Sequence, residues 1–238
     1  MDNKILSFIP KFYFPGSIFL GPQSFLFLKT IQDDKKLVIT SEAFRVANQK
    51  MLADLFGSSL EYFLQNNEPT NEDFDKLKKL CLEGNFKYLV AFGGGSVIDL
   101  AKLVKAELKI KMVAIPTTIG SGAEVSQHAL LISSGAKKIF SCSDLLPETI
   151  LLNPSCLKSL DREKIIFQSI DALSHGIESL VSKISNIFSD QFALKSIEII
   201  YENLSKIDSS ESKDKILENL QMASILAGLA QSSAATGL

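Results

Sequence analysis

The sequence lacks the cysteine patterns of disulfide-linked or zinc-binding proteins and the charge blocks of proteins that bind nucleic acids or anionic membranes. Its three cysteines, Cys81, Cys142 and Cys156, lie far apart and lack C-x-x-C spacing, which argues against a disulfide framework and a cysteine zinc site. Its 25 basic residues are balanced by 27 acidic ones, with no block of five or more like charges. We therefore expect no nucleic acid and no anionic membrane as a partner, and we expect a small molecule instead.

A long apolar segment is also missing. Pro10 and Pro15 interrupt the partly apolar N-terminus, which has neither a sufficient export segment nor a small-residue cleavage site. We therefore expect no membrane span and a cytoplasmic location. The 238 residues are 46% hydrophobic and 22% charged, a globular composition that suits one large domain or two modest ones.

Residues 86–102 form the most informative stretch, which reads as a buried strand, a turn of three glycines and the start of a helix. Glycines carry no Cβ, so a pyrophosphate could approach the main chain at the positive end of that helix. Ser96 and Asp99 have the spacing of a capping box. The G-x-G-x-x-G spacing is absent, so a plain tight turn remains the alternative from these residues alone.

Strands alternate with helices along the first 115 residues, which predicts a doubly wound parallel sheet. The predicted strands are 17–20, 36–40, 60–64, 87–92 and 111–115, and the predicted helices are 43–56, 72–83 and 96–107.

Ser41 follows the strand 36–40, at the position that usually meets the adenosine ribose of a dinucleotide. An acidic residue there would favour NAD. Because Ser41 has no carboxylate and Glu42 could turn in to repel a 2′-phosphate, we expect a preference for NAD over NADP that is not strict. The alternative is that Ser41 only caps the following helix.

A second loop, residues 116–124, follows the strand 111–115. Pro116 ends that strand, Thr117 and Thr118 offer hydroxyls, and residues 120–122 form a turn that we expect to be flexible and polar. Two such loops at neighbouring strand ends can hold the two halves of a dinucleotide.

Together the two loops resemble those of the iron-containing alcohol dehydrogenase family, which read Gly-Gly-Gly-Ser-x-x-Asp-x-Ala-Lys and Pro-Thr-Thr-x-Gly-Thr-Gly-Ser-Glu. Ser121 stands where the family usually has Thr, and Ala123 stands where it has Ser, so one hydroxyl is lost. The residues expected to bind NAD or NADP are Ser41, Gly93, Gly94, Gly95, Ser96, Asp99, Thr117, Thr118 and Ser121.

After Pro154 the pattern becomes helical, and a helix is predicted from Asp161 to about residue 182. Its large aliphatic residues, three or four apart, predict a buried stripe: Ile166, Ile170, Leu173, Ile177 and Leu180. On residues alone, Asp171 and His175 read as a surface ion pair. The stretch 171–178 is similar to the metal-binding helix of the family, which implies that both side chains bind one divalent ion, Fe²⁺ or Zn²⁺, with Glu178 as an orienting partner.

We predict a Rossmann-like dinucleotide-binding α/β domain over residues 1–154 and an incomplete all-α metal-binding domain over residues 155–238. The sequence has two histidines, and no residue of 219–238 is charged. The resemblance places two further metal histidines beyond such a helix. We therefore expect a buried final helix in a truncated chain that is inactive alone.

The resemblance implies an NAD(P)-dependent, metal-dependent alcohol dehydrogenase or aldehyde reductase that transfers hydride and needs no protein nucleophile. It leaves a homodimer open. One alternative is a cyclase like dehydroquinate synthase, which would normally lack the Gly-x-Gly-x-Glu seen at residues 120–124 and would use Glu rather than Asp on the metal. The other is a nucleotide-binding remnant without turnover.

Overall fold

The computed structural model describes residues 12–57, 59–209 and 212–234. Within these, the chain forms two units. We call residues 15–118 and 127–159 the α/β unit, and residues 12–14, 119–126 and 160–234 the helical unit. The chain leaves the α/β unit for the last time after Ser159. The domain boundary at residue 154 stays a prediction.

The α/β unit is built on a sheet of six parallel strands, which confirms the predicted fold class. The strands are β1 (Ser17–Leu20), β2 (Lys36–Ser41), β3 (Leu60–Leu64), β4 (Tyr88–Gly93), β5 (Lys111–Pro116) and β8 (Thr149–Leu152). Their order across the sheet is β1-β8-β5-β4-β2-β3. A separate antiparallel hairpin consists of β6 (His128–Ser133) and β7 (Ala136–Ser141).

The helices of this unit are α1 (Leu26–Thr30), α2 (Glu42–Ala47), α3 (Gln49–Phe56), α4 (Asn71–Gly84) and α5 (Gly95–Leu108). The single helix predicted over residues 43–56 is wrong, because the chain leaves the helical conformation at Asn48 (φ −132°). The Asn48 side chain donates to the Phe44 carbonyl at 3.1 Å. Asparagine is a poor helix interior residue for this reason: its amide competes for backbone groups.

Phe92 anchors the core of the α/β unit near the carboxyl end of β4. Its ring is fully buried and packs against the rings of Phe25, Phe44 and Phe56, with centroids 6.3, 4.8 and 5.9 Å away. Each such ring pair contributes about 0.5–1.5 kcal/mol beyond simple burial. The backbone that leads into Gly93 is therefore held by a cluster of four packed aromatic rings.

The helical unit contains α6 (Arg162–Val181), α7 (Ile187–Leu204) and α8 (Lys213–Ala234). Helix α8 is buried along nearly all of its second half, which confirms the expected buried helix as far as Ala234. Residues 235–238 lie outside the described residues. Among the described residues, no helix is long and apolar enough to cross a membrane.

The buried stripe predicted for α6 is wrong. Ile170 and Ile177 are each 48% exposed. The buried face consists of smaller residues for the most part: Ile165, Ser169, Ala172, Gly176 and Ser179. Small side chains allow a neighbouring helix to approach closely, and a Cβ on Gly176 would lie only 3.2 Å from Ile197 of α7. Close packing of small residues has displaced the large aliphatic ones to the surface.

Candidate functional site

The first glycine loop joins β4 to α5. Gly94 is the N-cap of α5, the helix begins at Gly95, and no side chain caps its start. The predicted capping box of Ser96 and Asp99 is therefore wrong. Ser96 lies inside the first turn, where its hydroxyl donates to the Asn67 carbonyl at 2.5 Å.

Gly93 is required by space, and Gly94 stands close to its neighbour. A Cβ on Gly93 would lie 2.7 Å from the side chain of Val97, and a Cβ on Gly94 would lie 3.1 Å from the side chain of Thr118. The Thr117 amide donates to the Gly93 carbonyl at 3.1 Å. The structure thus brings Gly93, Gly94, Thr117 and Thr118 together at the carboxyl ends of the adjacent strands β4 and β5.

Asp99 sits one turn into α5, and its described contacts hold the hairpin. One carboxylate oxygen accepts from the Leu130 amide at 3.0 Å, and the other lies 3.4 Å from Nζ of Lys102. Lys102 is fully buried and donates to the His128 carbonyl. Burial raises the pKa of Asp99, and the Lys102 charge opposes that rise. The two side chains fasten strand β6 to α5.

Ser41 is the last residue of β2, and its hydroxyl accepts from the Phe44 amide at 3.2 Å. The alternative role of helix capping is therefore realised. Glu42 does not turn in as the sequence analysis supposed, because its carboxylate pairs with the Arg45 guanidinium. The hydrogen bond from Arg45 holds the pKa of Glu42 below its ordinary value.

The second loop continues into the helical unit, where it is packed rather than flexible. The Ile119 amide donates to the Gln168 side chain at 2.9 Å, and the Gly120 amide donates to the Ser224 hydroxyl at 2.8 Å. Gly122 has a φ of +56°, and a Cβ there would lie 2.5 Å from the Cα of Gly228 in α8. The expected flexible turn is wrong: Gly122 packs closely on α8, Gly120 packs closely on α6, and Ser121 alone is exposed in the turn.

Asp171 and His175 share one face of α6. The Asp171 Oδ1 lies 3.7 Å from the His175 Nε2, too far for a hydrogen bond. Two ligand atoms each about 2.1 Å from one ion can be up to about 4.2 Å apart, so the pair fits a shared cation. The other oxygen of Asp171 lies beside Gly120, where a Cβ would come within 2.9 Å of it.

The pair alone does not make a complete metal site. Among the described residues, no group of three or more His, Cys, Asp or Glu side chains is placed to hold a metal ion. The Nδ1 of His175 is buried and has no hydrogen-bond partner in the described part of the chain, so Glu178 does not orient it here. Two ligands on one helix would hold a cation weakly, because catalytic sites commonly use three protein ligands.

Sequence reasoning missed four side chains at or beside the candidate sites: Arg45, Lys102, Gln168 and Ser224. Lys102 is the final Lys of the first-loop pattern quoted in the sequence analysis, so that pattern could have drawn attention to it. Arg45 had one too, as one of two arginines in the chain and four residues beyond a strand end. Gln168 and Ser224 lie 49 and 104 residues from the amides they accept, and no local pattern predicts such partners.

Comparison with known proteins agrees with the resemblance. The model of the iron-containing alcohol dehydrogenase family matches residues 15–154, and the model of the C-terminal part of that family matches residues 165–238. The chain is similar to an alcohol dehydrogenase of Thermococcus barophilus, at 27% identity over 93% of this chain and 66% of the relative. It is also similar to an NADPH-dependent butanol dehydrogenase of Clostridium saccharobutylicum, at 25% identity over 96% of this chain and 66% of the relative.

Among solved structures, the iron-containing alcohol dehydrogenase of Thermococcus thioreducens superposes with a TM-score of 0.85, at 25% identity over 95% of this chain and 68% of that one. The chain thus spans about two thirds of the length of these relatives. Because the family model for residues 15–154 alone covers more than half of the sequence, the chain belongs to the iron-containing alcohol dehydrogenase family.

Proposed function

We propose that this chain binds NAD or NADP through the glycine loop of the α/β unit, as part of an enzyme that transfers hydride between nicotinamide and an alcohol or aldehyde. The observation that supports the cofactor site most directly is the close approach of Gly94 and Thr118. A Cβ built on Gly94 would lie 3.1 Å from the Thr118 side chain. A bare backbone turn and a hydroxyl side by side, at a helix start without a side-chain cap, suit a pyrophosphate. Gly95, Ser96 and Ser121 belong to the same proposal.

The proposed metal ligands are Asp171 and His175. A bound Fe²⁺ or Zn²⁺ would polarise the oxygen of the alcohol or aldehyde, and the nicotinamide would supply or accept the hydride. The chain's own contribution is to hold a carboxylate oxygen and a ring nitrogen 3.7 Å apart on one rigid helix, which fixes where a cation could sit. No nucleophilic side chain is part of the proposal.

The remaining assignments rest on the family. We propose the boundary near residue 154 between cofactor and metal domains, a cytoplasmic location, an alcohol or aldehyde substrate, and a homodimer as the assembly to test first. The named relatives are dehydrogenases, so a cyclase and a non-catalytic remnant are not favoured.

The cofactor assignment is tested by Gly94→Val. Gly94 has φ −79° and ψ −173°, angles that valine adopts readily, so the fold should survive. The side chain would project toward Thr118, into the space proposed for the pyrophosphate, and we expect NAD(P)H affinity to fall by several kcal/mol, or more than about a hundredfold. Titration followed by cofactor fluorescence measures this. An unchanged affinity in a folded variant would remove the glycine loop from the cofactor site.

The metal assignment is tested by metal content after loading with Zn²⁺ and desalting. We expect the 238-residue chain to retain clearly less than one equivalent, and Asp171→Asn to abolish what is retained. Asp190→Asn on α7 is the control, since Asp190 is no part of the proposed pair. Equal retention in Asp171→Asn and Asp190→Asn would show that the ion sits elsewhere.

A further inference from the structure

We propose that Arg45 binds the 2′-phosphate of NADP and that the Glu42 carboxylate competes with this phosphate for the guanidinium. The inference deepens the proposed function and depends on the dinucleotide site. It assigns a specificity-determining residue that the sequence patterns of the two loops do not contain.

The position of Arg45 follows from the sheet order. Strand β2 lies directly beside β4, and neighbouring strands are about 4.8 Å apart, so Ser41 ends one strand away from the glycine loop. In an open α/β sheet the residue at such a strand end meets the adenosine ribose, and an arginine nearby accommodates the 2′-phosphate when NADP is bound. Arg45 lies four residues beyond Ser41, about one turn along α2.

The guanidinium is already oriented in the free protein. It lies over the ring of Phe63, with Cζ 4.9 Å from the centroid, and Phe63 is next to the end of β3. Its Nε donates to the Glu42 carboxylate at 3.1 Å, and a terminal nitrogen donates to the other oxygen of the same carboxylate. The ring supports one face of the planar group while its edge makes the forked contact that carboxylates and phosphates share.

The carboxylate of Glu42 is a partner that a phosphate can replace. The Arg45 and Glu42 side chains are 33% and 36% exposed, so a ligand can reach them from solvent. Exposed ion pairs of neighbouring residues on a helix are weak. A phosphate monoester brings nearly two negative charges and three acceptor oxygens, and it matches the guanidinium fork. The pair can therefore open for NADP, whereas NAD offers the guanidinium no replacement.

Glu42 consequently has a different role from the one that its sequence position suggested. It does not repel a 2′-phosphate from the ribose site directly, since its carboxylate is held on Arg45. Because the Glu42 carboxylate must be displaced before a phosphate can bind Arg45, it lowers the affinity gained from the 2′-phosphate. Glu61 on β3 acts in the same direction, because together with Glu42 it raises the pKa of Arg45 and so stabilises the cation before any ligand arrives.

The test compares two small ligands that lack nicotinamide, adenosine 2′,5′-bisphosphate and adenosine 5′-diphosphate, by calorimetric titration of the full 238-residue chain. We expect Arg45→Met to weaken the 2′,5′-bisphosphate by about tenfold or more and to leave the 5′-diphosphate within about twofold. Glu42→Gln should strengthen the 2′,5′-bisphosphate severalfold and also leave the 5′-diphosphate unchanged. Arg45→Lys should give an intermediate loss, since it keeps the charge and loses the fork.

Arg162→Met is the matched control. Arg162 is the other arginine of the chain and makes a comparable forked contact with Asp208, so its replacement should change neither affinity. Equal losses for both ligands in Arg45→Met, or no loss for either, would overturn the inference while the nucleotide site stands. A parent chain that binds neither ligand would overturn the proposed cofactor site and the inference with it. Circular dichroism of each variant separates misfolding from lost binding.

Discussion

The two units differ in the side chains that fill their interiors. In the α/β unit large rings and aliphatic groups pack around β4, with Phe92 fully buried at their centre and Phe44 and Phe56 buried beside it. In the helical unit the interior is made largely of alanine, glycine and serine, and α6 and α7 expose large side chains, of which Phe167 and Tyr201 are 70% and 80% exposed. An apolar groove of about 790 Å³ runs between α6 and α7, lined by Leu173, Ile177, Leu194 and Tyr201 among others.

The difference extends to the candidate sites. The glycine loop is fixed by the packed strand before it and by the Thr117 and Thr118 segment beside it, all from one unit. The candidate metal ligands are two side chains on one helix, and the Asp171 side chain is 53% exposed. The glycine loop proposed for the cofactor is therefore pre-organised by its own fold, whereas two of the large apolar groups on the helix that carries the candidate metal ligands, Ile170 and Ile177, are each 48% exposed.

The largest effect that would sharpen this comparison is expected from Lys102→Met in the α/β unit. Removing the fully buried cation leaves Asp99 without its counter-charge, and breaking a buried ion pair typically costs about 3–5 kcal/mol. Unfolding in urea followed by far-UV circular dichroism measures the loss, and hydrogen exchange of the β4 and α8 amides shows which unit carries it. We expect the protection of β4 to fall most.

Two matched variants make that result interpretable. Lys78→Met opens the solvent-exposed pair with Glu107 and should change stability far less. Adding Asp99→Asn to Lys102→Met removes the stranded charge and should recover part of the loss. Equal stability of Lys102→Met and the parent would show that the pair does not hold the hairpin on α5.

A smaller effect is expected from Gly228→Ala in the helical unit. Its Cβ would lie 2.7 Å from the Cα of Gly122 and 2.8 Å from the side chain of Val125, and overpacking of this kind costs about 1–3 kcal/mol. Gly176→Ala is the control, because its nearest contact is the Ile197 side chain at 3.2 Å and not backbone, and alanine favours the helix by up to about 1 kcal/mol. Hydrogen exchange in α8 should speed up for the first variant only. Similar exchange in both variants would show that the two glycines are not in tight contact.

The sequence predicted the parallel sheet because each strand is a short apolar run that ends at a polar or glycine residue, a local pattern. It did not predict the packing of the helical unit. Ile170 and Ile177 follow the helical period, yet the buried face of α6 consists mostly of small residues. These small residues let the three helices pack closely, and such packing depends on contacts between residues that are distant in the chain. The same limit applies to the site. Gly93 and Gly94 stand out in sequence, whereas the contact of Gly122 with Gly228 joins residues 106 apart and exists only in the folded unit.

The smallest expected effect concerns the start of α6, the helix that carries Asp171 and His175. Asp161 is its N-cap, and its carboxylate accepts from the Lys164 amide at 2.8 Å. That hydrogen bond holds the pKa of Asp161 below its ordinary value. The cap therefore contributes fully above about pH 4, the unfolded pKa, and its contribution is lost as the pH falls through the lower, folded pKa.

We expect Asp161→Ala to lower the thermal midpoint of the 238-residue chain by about 2–4 °C at pH 7, and the difference from the parent to shrink below pH 4. Asp161→Asn should retain most of the cap, since asparagine caps about as well as aspartate, and should remove the part of the pH dependence that belongs to this carboxylate. Midpoints measured from pH 3 to pH 7 for the three proteins check both statements. An Asp161→Ala deficit that stays constant down to pH 3 would mean that the cap does not depend on the charge of Asp161. No deficit at any pH would mean that α6 depends on its internal packing and not on this cap, and the helix would then be as firmly set as the glycine loop of the α/β unit.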